Sequence, residues 1–283
     1  MTSPYFITGP AIISFSGGRS SGYMLRQILD AHGGQLPDDV LVAFANTGKE
    51  RPETLDFVRD CGEHWGVKIH WLEWREPAHR GAPRFEEVGH NSASRNGEPF
   101  AALIARKGYL PNPVTRFCTI ELKIRVMSDF AKAQGWKHWT NVVGFRGDEM
   151  HRVDAAMTRN EAAKERWQTI CPMANAGVSK AEVRAFWRAQ PFDLRLEEHE
   201  GNCDVCFLKS AAKISRIMRD RPDLAQWWIG TESVPRTGKQ SGATFRTDRP
   251  SYAALLDAVE RQDEFNFGIF DDLESCASNG CTD

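Results

Sequence analysis

The chain has 283 residues, 41% hydrophobic and 26% charged, with a formal net charge of −2. That composition supplies a full core and excludes a disordered or fibrous chain. The near-neutral balance excludes a global basic field for nonspecific nucleic-acid binding, and no apolar run approaches the ~20 residues of a membrane span.

The opening stretch MTSPYFITGP has neither a basic nor a long apolar region, so a cytoplasmic protein without a membrane partner is expected. Residues 11–15 read as a buried strand, and residues 22–32 carry their apolar side chains on one helical face. A second apolar strand at 40–45 runs into NTGKERPET, where Pro52 suits a first helical turn and Glu53 the positive end of the helix dipole. Leu55, Phe57 and Val58 continue that helix, and residues 67–74 alternate as a strand. This β-α-β-α-β start predicts an α/β fold, an open and mostly parallel sheet with helices on both faces. Residues 75–97, polar and rich in Pro, Gly, His and Asn, are expected to form a long loop, a candidate lid. Helices are predicted at 98–107, 120–134 and 180–190, and a strand at 138–145. From Gly201 the pattern changes to a CxxC and helical stretches at 207–220 and 252–261. Two domains are therefore expected: an α/β domain over 1–200, and a small helical C-terminal appendage with its tail over 201–283.

The first strand and first helix are joined by SFSGGRSSG. A glycine-rich turn at this junction clusters backbone N–H groups at the positive end of a helix, so an anion, best a phosphate, is the natural ligand. Gly17 and Gly18 allow close backbone approach, Ser16, Ser20 and Ser21 offer hydroxyls, and Arg19 offers a cationic fork. Three or four charge-assisted hydrogen bonds of about 1.5–3 kcal/mol each suffice for micromolar affinity. The pattern is neither GxxxxGK[ST] nor GxGxxG.

The loop resembles the SGGxDS pyrophosphate loop of the adenine nucleotide alpha hydrolase-like (PP-loop) superfamily. Ser20 stands where that superfamily usually has Asp, which moves the likeness toward the phosphoadenosine phosphosulfate reductase family. Three further segments carry the resemblance in the same order: NTGKERPET is similar to DTGxxxPET, RFCTIELKIRVM to RxCxxxLKxxP, and GFRGDEMHR to GxRxDES. The resemblance implies a Rossmann-like nucleotide-binding domain in which Asn46, Thr47 and Gly48 line the adenine-nucleotide site. It also implies that Arg116 and Lys123 neutralise phosphate or sulfate, with Lys123 among the catalytic groups. Gly144 and Arg146 would hold phosphate, and Asp148 and Glu149 would position it or a metal.

Seven cysteines, an odd number without a secretory signal, point to metal or redox chemistry rather than disulfides. Cys203 and Cys206 form a CxxC turn, which aims two sulfurs at one point and suits a metal, an iron-sulfur cluster or a dithiol couple. Cys118 lies in the family-like segment, and Cys171 precedes Pro172. Iron-sulfur reductases of the family carry a CC pair plus a CxxC. Phe117 stands at the first position of that pair here, and Cys171 is inferred to replace the missing ligand. The expected cofactor is a [4Fe-4S] cluster on Cys118, Cys171, Cys203 and Cys206, with zinc in the same site or free redox cysteines as alternatives. Cys61 reads as a packed helix residue. The ending ESCASNGCTD is loosely similar to the mobile nucleophile segment of sulfonucleotide reductases, making Cys276 or Cys281 the expected nucleophile and incidental thiols the alternative. No HExxH or HxxxH spacing supports a mononuclear metal hydrolase.

The resemblance thus implies an iron-sulfur enzyme that binds phosphoadenylyl sulfate, adenylyl sulfate or ATP. Its expected reaction is thiol-dependent reduction of the sulfonucleotide with a thioredoxin-like reductant. One alternative is an ATP-pyrophosphatase-type enzyme that activates a tRNA or DNA base for sulfur insertion. It alone brings nucleic acid as a partner, and some of the nine Trp residues would stack bases. Another is a non-enzymatic, cluster-bearing nucleotide sensor. Each is compatible with a homo-oligomer.

Overall fold

The computed structural model describes residues 3–235 and 244–261. Its sheet is built from β1 (Ala11–Ser14), β2 (Val40–Asn46), β3 (Ile69–Trp74), β4 (Phe85–Val88), β5 (Trp139–Val142) and β6 (Trp167–Ile170), in the order β4-β3-β2-β1-β5-β6. All pairings are parallel except β3 with β4. β1 and β2 are apolar except for Ser14 and Asn46 at their ends, because both of their faces are covered. Ala11, Ile13, Val42 and Phe44 enter one core, and Ile12, Ala43, Leu72 and Trp74 enter the other.

The first core is closed by α1 (Arg19–Ala31), α2 (Pro52–Trp65) and α8 (Lys180–Arg188), through Leu25, Ile28, Phe57, Val58 and Trp187. The second is closed by α3 (Glu98–Lys107), a stretch comprising α4 (Phe117–Thr119), a π-helical turn (Ile120–Ile124) and α5 (Arg125–Ala133), and the C-terminal helices. Those helices are α9 (Ala211–Asp220), α10 (Gln226–Ser233) and α11 (Tyr252–Glu260). Ile214, Trp228 and Leu255 share one cluster with Ile12 and Ala43, so the packing of the C-terminal helices is continuous with the sheet. Between β5 and α8 lie α6 (Met150–Glu161), β6 and α7 (Pro172–Asn175). No helix among the described residues is long and apolar enough to cross a membrane.

Within the stretch expected to be a loop, residues 85–88 add β4 to the sheet edge as an antiparallel strand, and the end of the stretch is pinned. Ser94 donates to Glu73 through its N–H (2.6 Å) and its Oγ (2.8 Å), and Gly97 N–H donates to Gly48 O (2.8 Å).

The topology also selects a place for a ligand. The chain leaves β1 toward β2 and β3, then returns to β5 on β1's other side, so a crevice opens beyond the carboxyl ends of β1 and β5. Ser14 Oγ donates to Asn141 Oδ1 (2.6 Å) across the floor of this crevice.

Candidate functional site

At the end of β1 the chain turns at Gly17, whose φ is +78°. A Cβ there would lie 2.7 Å from Thr54 Cγ2 and 3.1 Å from Phe44 and Val58, so glycine is required by both torsion and space. Gly18 precedes α1 and has no side chain to cap the first turn, which leaves the leading N–H groups of the helix to an anion. Ser21 faces inward: its Oγ donates to Gly18 O (2.9 Å), accepts from Ser16 N–H (3.2 Å) and bonds Ser16 Oγ (2.9 Å). Arg19 is turned away. Its Nε and Nη2 bind both oxygens of Asp193 (2.8 and 2.6 Å) and its Nη1 donates to Leu196 O (3.0 Å), so the fork expected at the anion instead anchors the segment after α8.

A different arginine reaches the loop. After β5 the chain passes so close to the start of α1 that a Cβ on Gly144 would lie 3.3 Å from Ser21 Cα. Arg146, only 8% exposed, donates from Nη1 to Ser20 Oγ (2.9 Å) and from Nε to Asp148 Oδ1 (2.8 Å), with Nη2 3.4 Å from Glu149 Oε2. Asp148 also accepts Lys180 N–H (2.9 Å), and Glu149 accepts Arg152 Nη1 (2.5 Å). Burial works against the charge on Asp148, yet the Lys180 N–H and Arg146 outweigh it and hold the carboxyl below its ordinary range. Both acids thus orient Arg146. Arg116, which precedes α4, has its Nη1 buried with no hydrogen-bond partner. An unmet buried donor costs about 1–3 kcal/mol, more when charged, so an anion at Arg116 is favoured.

The loop after β2 is shaped by its own side chains. Asn46 Nδ2 donates to Glu73 Oε1 (2.6 Å) and Ser94 O (2.9 Å), and Asn46 Oδ1 accepts Gly48 N–H (3.1 Å). Thr47 donates from both N and Oγ1 to Glu50 Oε2, each at 2.8 Å. The CxxC segment lies across this loop: Glu50 and Cys203 form an antiparallel bridge, Arg51 N–H donates to Asn202 O (2.8 Å), and Asp204 N–H donates to Lys49 O (3.0 Å). Asn202 Nδ2 then donates to Ser16 O (3.0 Å), joining the cysteine segment to the anion loop. Lys209 Nζ donates to the carbonyls of Cys203 and Asp204, and Tyr252 OH donates to Val205 O (2.6 Å), so the turn between the cysteines is held by its backbone. A buried Lys49–Asp204 pair (2.7 Å), with Trp228 Nε1 on the same carboxylate (2.8 Å), fixes it to the core.

Among the expected cysteine ligands, Cys118 and Cys203 each feel the charge of Cys206. Burial pushes the Cys118 thiol up to about 12, with Cys206 adding to the effect and Lys123 opposing it. Cys203 is raised well above the ordinary thiol value by burial first and Glu50 second, and Cys206 acts on it too. The Cys203 S–H donates to Glu50 Oε1 (3.7 Å), and Lys123 Nζ lies 3.3 Å from the same oxygen. Burial would lower the Lys123 pKa, but Cys203 and Glu50 hold it above its ordinary range. Burial thus favours the neutral thiol at Cys118 and Cys203, and binding of a metal there would release protons. Cys171 follows β6, two strands beyond β1, where burial raises its pKa to about 11 against the pull of Arg152 and Arg159. Among the described residues no three His, Cys, Asp or Glu side chains are grouped closely enough to hold a metal ion. Cys276 and Cys281 lie outside the described residues.

Reading the sequence missed Asn202, Glu50, Lys209 and Tyr252. Asn202 carried a faint signal, an Asn immediately before a CxxC, whereas the other three act through partners distant in the chain. Trp71, Trp74, Trp139, Trp187 and Trp228 are buried, which withdraws them from any stacking surface.

No family model matches the chain. It is similar to the uncharacterized nin region protein ORF290 of Escherichia phage lambda, 29% identical over 218 residues that cover 75% of this chain and 71% of that one. Among solved structures it is similar to phosphoadenylyl-sulfate reductase from Candida auris in a phosphate complex (16% identity, TM-score 0.41, 68% of this chain and 82% of that chain). It is also similar to the U34-tRNA thiolase NcsA from Methanococcus maripaludis with its [4Fe-4S] cluster (12% identity, TM-score 0.37, 90% of this chain and 71% of that chain).

Proposed function

We propose that the chain is an adenine-nucleotide-binding enzyme of sulfur metabolism, most concretely a thiol-dependent reductase of adenylyl sulfate or its 3′-phosphorylated form. The observation that supports this proposal is the hydrogen bond from Asn202 to Ser16 O, which joins the cysteine segment to the anion loop. Arg146, held against Ser20, and Arg116, with its unmet Nη1, would neutralise the phosphate and sulfate. Cys118, Cys203 and Cys206 would hold an iron-sulfur cluster, which would supply fixed charge beside the sulfate.

In the reaction a thiolate, expected from Cys276 or Cys281, attacks the sulfate sulfur. An S–S bond forms, the S–O bond to phosphate breaks, and the nucleotide leaves with that oxygen. A dithiol of the thioredoxin class then reduces the thiosulfonate, is itself oxidised to a disulfide, and releases sulfite. The experiment is sulfite release from labelled adenylyl sulfate with a dithiol reductant under anaerobic conditions. Turnover abolished by Arg146→Gln and by the double replacement of Cys276 and Cys281 is expected; sulfite release unaffected by either change refutes the assignment.

A second proposal, ATP-dependent activation of a nucleic-acid base for sulfur insertion, draws on the segment around Cys118. Tyr109, Val114 (94% exposed), Ile120 and Ile124 are exposed apolar residues close in sequence to Arg116 and Arg125. Pyrophosphate release that requires added nucleic acid would select this reaction over reduction.

A further inference from the structure

Near the carboxyl end of β3 the alternation that sends Leu72 and Trp74 into one core places a fully buried acid, Glu73, on the other face. A buried charge is costly unless paired, and well-packed apolar side chains often replace buried ion pairs without loss of stability. Stability alone gives no reason for an acid here. We infer that Glu73 is a positioning residue for the proposed nucleotide site: through Asn46 it sets the loop after β2, and through Ser94 it sets the turn that backs that loop. The inference rests on the nucleotide-binding reading of the crevice.

Asn46 ends β2 directly opposite Glu73 in the parallel ladder. Glu73 Oε1 accepts Asn46 Nδ2 and Ser94 N–H, each at 2.6 Å. Its Oε2 accepts Ser94 Oγ (2.8 Å) and lies 2.9 Å from Arg75 Nη2, and Arg75 also donates to Glu86 on β4 (2.7 Å). An ionised carboxylate only accepts hydrogen bonds, so the Asn46 amide must turn Nδ2 toward Glu73 and Oδ1 toward Gly48. Both Nδ2 hydrogens are then used, on Glu73 and on Ser94 O (2.9 Å), while Oδ1 accepts Gly48 N–H (3.1 Å). Thr47 likewise donates its N–H and hydroxyl to Glu50. These donors are spent inside the protein, so the loop serves a ligand by its shape.

The turn from Ser94 closes on the same loop. Gly97 N–H donates to Gly48 O (2.8 Å), and a Cβ on Gly48, whose φ is +79°, would lie 3.0 Å from Gly97 Cα. Glu73 therefore holds Gly48 from two sides, at its N–H through Asn46 and at its O through the turn. Arg51, just beyond this loop, donates its N–H to Asn202 O, and Asn202 Nδ2 donates to Ser16 O, so the position of the loop is carried to the anion loop.

The full chain is compared as wild type, Glu73→Gln, Asn46→Asp and the double variant. Labelled adenylyl sulfate is titrated by equilibrium dialysis, amide hydrogen exchange is followed at Gly48 and Gly97, and Tm is recorded for each. Asn46→Asp sets a second carboxylate against Glu73 while keeping an acceptor for Gly48 N–H. Binding is expected to weaken roughly 10-fold and exchange at Gly48 to quicken by a similar factor. Glu73→Gln, which keeps an oxygen for Asn46 and for Ser94 N–H, is expected to weaken binding less. The double variant exchanges donor and acceptor, and is expected to bind at least roughly 3-fold more tightly than Asn46→Asp. A recovery confined to Tm assigns Glu73 to stability alone, and no recovery means that Asn46 meets the ligand itself; either overturns the inference. Wild-type protein that binds neither adenylyl sulfate, its 3′-phosphorylated form nor ATP overturns the nucleotide reading. Exchange at Gly48 left unchanged by Asn46→Asp overturns the hold of Glu73 on the loop, whatever the wild type binds.

Discussion

Replacing Gly17 by alanine tests the turn on which the anion loop is built. The backbone torsion at this position costs an L-residue about 1–2 kcal/mol. The new methyl would also meet Thr54, Phe44 and Val58, all fully buried and unable to retreat into solvent, and such overpacking adds about 1–3 kcal/mol. The expected loss is about 2–5 kcal/mol, a large share of the 5–15 kcal/mol typical of a domain and equivalent to roughly 5–15 °C in Tm. Gly33→Ala is the control: its φ is +68° but nothing lies within 4 Å of the added atom, so only the torsional cost of about 1–2 kcal/mol applies. Urea denaturation followed by circular dichroism measures both. A Gly17→Ala protein no less stable than Gly33→Ala would refute the steric reasoning and, with it, the packed geometry of the loop.

Arg146→Gln removes the guanidinium at Ser20, and adenine-nucleotide affinity is expected to fall roughly 10- to 100-fold by equilibrium dialysis, the worth of one charge-assisted hydrogen bond. Asp193→Asn probes the Arg19 anchor. Burial raises the Asp193 pKa, but Arg19 and the Leu194 N–H outweigh it and depress the folded value. The pair's contribution, on the order of 1 kcal/mol between partly exposed groups, is therefore full above the unfolded value of about 3.9. It vanishes as pH falls through the folded value, so wild-type and variant denaturation curves should differ at pH 7 and converge in strong acid. Lys49→Met leaves Asp204 buried without its cation and should cost about 3–5 kcal/mol by denaturant unfolding, whereas Lys49→Met with Asp204→Leu should cost less.

The parallel sheet was legible because β1, β2 and β3 are apolar strings separated by amphipathic helices, and Pro52 opens α2 as its fixed torsion favours. The edge was not legible. β4 (FEEV) is half polar and reads as loop until it pairs with β3, and α6 buries only Val153 and Ala156, too few for a periodic signal. The helix expected at 120–134 begins earlier, at Phe117, and contains a π-turn at Ile120–Ile124, a deviation that local spacing does not encode. Within the candidate site the motifs placed Ser16, Ser20, Gly144 and Arg146 together, since each follows a strand of the sheet. They did not foretell the pairing of Arg19 with Asp193, because an acid 174 residues away is not contained in a linear pattern.

The most direct measurement is an anaerobic calorimetric titration of the full chain with adenylyl sulfate, repeated on Arg146→Gln. Binding with a dissociation constant on the order of micromolar, weakened at least roughly 10-fold in the variant, is the predicted result. No heat of binding with adenylyl sulfate, its 3′-phosphorylated form or ATP would contradict the central claim.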